Sequence, residues 1–146
     1  MADSEQAFQE ARATWRAALR DHVLAPPDAG FSARLANLAA AASQRAAACE
    51  VAYKDGFEWP AARGDANPPY ELQPGSGRRG PDQVWQRFDE SVAELDRVSE
   101  ARSIRAVGHA YAELAEIASQ LAKAVAREDR ASGLLPPART ARRRSA

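Results

Sequence analysis

The sequence is poor in cysteine, histidine and lysine, and each shortage excludes something. Its one cysteine, Cys49, rules out an internal disulfide framework and a cysteine-based zinc site. No apolar run approaches the roughly 18 residues needed to span a bilayer. The opening MADSEQAF carries neither the cationic nor the apolar region of a signal peptide. A cytoplasmic protein without a membrane partner is therefore expected. Net charge is absent as well. The 20 Lys and Arg residues balance 20 Asp and Glu, so no overall field steers the chain toward nucleic acid. Only Lys54 and Lys123 are lysines. Arginine preference beside abundant alanine reads as GC-rich coding rather than as a phosphate-binding surface. G-x-S-x-G, H-E-x-x-H and Walker patterns are missing, so a non-enzymatic protein without a cofactor is expected.

What is present is helical periodicity. Phe8, Ala11, Trp15, Leu19, His22 and Val23 recur on one stripe after Asp3 or Ser4 as N-cap, predicting a helix over 4–24. Pro26 and Pro27 end it. A second helix is predicted over 32–55, with Leu35, Leu38, Ala42, Ala46, Cys49 and Tyr53 as its buried face and Gly56 as its left-handed terminator. Its alanines keep side-chain volume low, which lets a neighbouring helix approach closely.

Pro81 and Asp82 open a third helix with the stripe Trp85, Phe88, Val92 and Leu95, flanked by Val84. Ile104, Val107, Tyr111, Leu114, Ala118, Leu121 and Val125 form a later, heptad-like stripe. Neither glycine nor proline separates the two stripes, yet two magnitudes argue against one continuous helix. Phe88 and Val107 are 19 residues apart, which rotates the second stripe by roughly 100°. A helix over 82–130 would be about 70 Å long, against a radius of gyration of about 15 Å for a compact domain of this size. A break near Ser99 to Ser103 is predicted, giving helices over 82–99 and 103–130.

The fold expected is all-α: a four-helix, mostly antiparallel bundle. One domain covers 1–132, with a long irregular loop over 56–81, and a Pro/Arg-rich tail without regular structure follows over 133–146. The segment GFEWPAARGDANPPY inside that loop raises its own question, because loops this long in compact domains are functional or disordered. Disordered segments are poor in aromatics, whereas this one carries Phe57, Trp59 and Tyr70, followed by Leu72. Those four residues form either an ordered strap across the alanine-rich seam or a surface presented to a protein partner.

Other patterns carry less. Gly75 to Gly80 spells G-x-G-x-x-G, but no strand precedes it, Pro81 removes an N–H donor and Asp82 puts negative charge where an anion would sit. Arg63-Gly64-Asp65 is a chance tripeptide. His109, Glu113 and Glu116 share a helical stripe that could hold a metal, but it lies off the core face and reads as solvated. His22 falls on the apolar stripe and reads as a core-edge histidine held by one hydrogen bond. Cys49, on a buried face, reads as an inert thiol. Arg139, Arg142, Arg143 and Arg144 could clamp phosphates weakly, which makes a nucleic-acid-associated accessory factor the alternative function.

The function expected is that of a small interaction or adaptor protein. Helix two offers mostly alanine, so a thin core is expected. A homodimer through the last helix, or through the face from Trp85 to Leu95, would complete it. A small-ligand pocket between the 56–81 loop and the bundle is a further alternative.

Overall fold

The computed structural model describes residues 2–24, 30–56, 82–100 and 103–136. They form four helices, α1 (Ala2–Leu24), α2 (Phe31–Lys54), α3 (Asp82–Glu100) and α4 (Ile104–Ala131), and the described residues contain no strand. α1 begins at Ala2, so Asp3 and Ser4, the expected caps, lie in its first turn. The break before α4 is made by Ser103. Its backbone is extended, and its hydroxyl accepts a hydrogen bond from the Ala106 N–H at 3.2 Å, which satisfies one of the helix's first free donors. Gly56 (φ 74°) and Gly133 (φ 85°) stand in the left-handed conformation just beyond α2 and α4, where a side chain would be strained.

The neighbours of each helix follow from a few side-chain pairs. Along the α2–α4 seam the Arg105 guanidinium lies 5.6 Å from the Tyr53 ring, Cys49 faces Gly108, and the Arg45 guanidinium lies 4.5 Å over the Tyr111 ring. Numbers fall on α2 as they rise on α4, so the two helices are antiparallel, and their contact is the most extensive in the bundle. At the opposite end His22 stacks on Phe31 at 5.4 Å and meets Phe88 edge-on at 5.9 Å, while Phe31 stacks on Trp85 at 5.9 Å. The starts of α2 and α3 therefore lie together, and the start of α4 lies at the other end.

In chain order the helices run up, down, down, up, and the three pairs that pack closely, α1 with α2, α2 with α4 and α3 with α4, are each antiparallel. Because α2 and α3 are parallel, the chain between Lys54 and Asp82 has to return the whole length of the bundle. That is about 36 Å for a helix of 24 residues, beyond the reach of a tight turn. The length of the middle segment thus has a topological reason. Phe57, Trp59, Tyr70 and Leu72, and the choice between strap and surface, lie outside the described residues.

The core is fuller than the alanines of α2 imply. Phe8, Trp15 and Leu19 from α1, Trp85, Phe88 and Leu95 from α3, and Tyr111, Leu114 and Ile117 from α4 are fully buried. Trp15 and Tyr111 meet edge to face, with ring centroids 5.0 Å apart. Small residues along α2 make room for these rings, while Phe31, Leu35 and Leu38 near its start add large side chains of their own. Both faces expected at a dimer interface are consumed inside the monomer. The stripe from Ile104 to Val125 and the stripe Trp85, Phe88, Val92 and Leu95 are buried throughout.

One register differs from expectation. Over its last turns α2 buries Arg45, Ala48, Cys49 and Ala52, while Ala46 is half-buried and Tyr53 is 52% exposed. In a run such as AAACEVAY alanine gives no apolar contrast, so periodicity leaves the facing side undetermined. Packing between α1 and α4 then turns Ala52, rather than Tyr53, inward.

Candidate functional site: a groove between α2 and α4

Gly108 lies where α2 and α4 come closest. A Cβ placed there would sit 3.0 Å from the Cys49 Cβ and 3.7 Å from the Ala46 carbonyl oxygen. Glycine in a helix interior costs about 1 kcal/mol relative to alanine, and here it provides the space for close approach. Above this contact the surface opens into a groove of about 600 Å³. Its floor is Ala46, Ala47, Gly108 and Ala112, with Ile104 at one end. Its rim carries Ser43, Glu50, Tyr53, Lys54, Arg105 and His109. Glu50 pairs with Lys54 at 3.1 Å, one helical turn apart, and Arg105 lies over the Tyr53 ring.

Beneath the floor the chemistry is closed. Burial pushes the Cys49 thiol up to about 11, against the opposing pull of the Arg45 charge, so the reactive thiolate is scarce at neutral pH. Arg45, only 2% exposed, covers the Tyr111 face, a cation–π contact that keeps a buried guanidinium against an electron-rich surface.

A second, smaller groove of about 330 Å³ separates α3 from α4, between Arg87, Glu90, Ser91 and Glu94 on one side and Ala110, Glu113 and Ile117 on the other. The histidine–carboxylate stripe is divided between the two grooves: His109 lines the first and Glu113 the second, while Glu116 is exposed and lines neither. Among the described residues no three His, Cys, Asp or Glu side chains are grouped to hold a metal ion. His22 sits in the aromatic cluster with Phe31 and Phe88. Burial, and then the Arg34 charge, lower its pKa to about 4, so the ring is neutral at pH 7.

Phe57, Trp59, Tyr70 and Leu72, the glycine run before α3, and Arg139, Arg142, Arg143 and Arg144 all lie outside the described residues. The sequence placed Ala46 and Tyr53 on a buried face and His109 on a metal-capable stripe, so the groove itself was missed, although one signal was there. A glycine at position 108, inside a strongly periodic helix, marks a close approach of another backbone. None of the four helices is long and apolar enough to cross a membrane. The chain matches no protein-family model, no curated protein and no solved structure.

Proposed function

We propose that this protein is a non-catalytic interaction module and that the α2–α4 groove is the face on which it binds another polypeptide. The observation that carries the reading is Tyr53, an aromatic ring half in solvent, held by Arg105 at the edge of a floor built from alanine and glycine. Tyrosine and arginine are the side chains most enriched at protein interfaces, and small floor residues let a partner's side chains reach the backbone. Val51, 49% exposed, stands on the same last turns of α2. Val51 does not line the groove and is an ordinary single exposed apolar residue, whereas Tyr53 stands at the edge of a groove of about 600 Å³. On the rim Glu50 pairs with Lys54 and Arg105 packs on Tyr53, which holds the ring in place at the groove's edge.

The test is affinity capture by the full chain, followed by mass spectrometry, with two variants beside it. Tyr53→Ala removes the ring, and Ala47→Arg fills the floor from an exposed position. Polypeptides held by the wild type and lost from both variants, at unchanged melting temperature, support the reading. An identical set of captured proteins in all three would overturn it.

A further inference from the structure

α2 differs from the other helices on its outer side. Every exposed residue from Ala33 to Ala47 is Ala, Asn, Ser or Gln, and the two arginines in that stretch are half-buried (Arg34) or buried (Arg45). α4, across the seam, exposes Arg105, His109, Glu116 and Lys123. Beyond the uncharged stretch, the α2 side of the groove carries the ion pair Glu50–Lys54, and the α4 side carries two basic residues, Arg105 and His109.

Resting on the groove as the binding face, we infer that its occupant is a second copy of this chain, related by a twofold axis that runs along the α2–α4 seam. Such an axis keeps each residue at its height along the bundle and lays α2 of one copy over α4 of the other. Glu50 then comes to Arg105 and His109 of the other copy, since Cys49 and Gly108 mark the same height. Tyr53 comes to the end of the opposite groove, at Ile104. The Glu116 carboxylate meets the uncharged stretch of α2 rather than another acid. A face that carries both a protruding ring and the hollow to receive it is self-complementary, which is what an isologous interface requires.

The area is sufficient. α2 has 24 residues and is about 36 Å long, and two adjacent helices are about 20 Å across. The paired face therefore offers on the order of 700 Å² per copy, against about 800 Å² per partner in a standard specific interface.

Sedimentation of the full chain from micromolar to sub-millimolar concentration reads the association, and charge reversal reads its geometry. Glu50→Arg sets arginine against Arg105, and Arg105→Glu sets glutamate against Glu50, each twice per dimer. Either variant alone is expected to weaken dimerisation by more than about tenfold. An equimolar mixture of the two restores pairing to within about threefold of the wild type, because each mixed interface carries two opposite-charge contacts. Both positions are exposed, so the helical circular dichroism of each folded variant stays that of the wild type. A monomer mass at every concentration overturns the pairing, as does a dimer whose affinity neither reversal changes or whose mixture fails to recover. If the chain is a monomer yet captures other proteins through Tyr53 and Ala47, the interaction reading stands and the self-pairing alone falls.

Discussion

Replacing Gly108 with alanine adds one methyl group at the closest point between α2 and α4. Two effects compete. In a helix interior alanine is favoured over glycine by about 1 kcal/mol, because the unfolded chain loses freedom. Against this, the new Cβ lies 3.0 Å from the Cys49 Cβ, where carbon atoms prefer about 3.5–4.0 Å. Neither atom can rotate away, since the backbone fixes every Cβ. The helices must part by about 0.5–1 Å, and overpacking of this kind costs about 1–3 kcal/mol. Sterics win, and Gly108→Ala is expected to lower stability by up to about 2 kcal/mol in urea unfolding followed by circular dichroism. Cys49→Gly removes the opposing atom. In that background Gly108→Ala should stabilise by about 1 kcal/mol, so the sign of the effect reverses. Stabilisation by the full propensity gain in the wild-type background would refute the close contact.

His22 predicts a pH dependence. Its folded pKa of about 4 lies below the ordinary 6.5, so the unfolded chain binds more protons between these values. Its contribution is complete above pH 6.5 and is lost as pH falls toward 4, by about 3 kcal/mol at most. His22→Leu should flatten the stability profile over that window, and an unchanged profile would show that the ring stays solvated. Cys49, buried with its thiol pushed up to about 11, should resist iodoacetamide at neutral pH in the native protein and react promptly in urea. Labelling of the native protein at the rate of an exposed thiol would contradict its burial under the groove.

The helices were legible because large side chains recur with helical period. Trp85, Phe88, Val92 and Leu95, then Ile104, Val107, Tyr111 and Leu114, each define a buried face, and the rotation between the two stripes locates the break that Ser103 caps. The C-terminal half of α2 was less legible. Alanine occupies core and surface with similar ease, so the pattern could not decide between Tyr53 and Ala52 or announce that Arg45 is buried. The thin core inferred from those alanines failed for a related reason. Volume is shared across the bundle, and Trp15, Trp85 and Tyr111 fill what α2 leaves. The site was legible only in Gly108. A groove is a relation between two helices, and spacing along one chain does not encode the height at which α2 meets α4.

The groove as a polypeptide-binding face is tested most directly by photo-cross-linking from defined positions. A benzophenone amino acid at position 53 points over the groove, and one at position 10 or 86 sits on the exposed sides of α1 or α3. Irradiation should yield intermolecular adducts from position 53 alone, at twice the chain mass where a second copy occupies the groove. Adducts of equal yield from all three positions, or none from position 53, would contradict it.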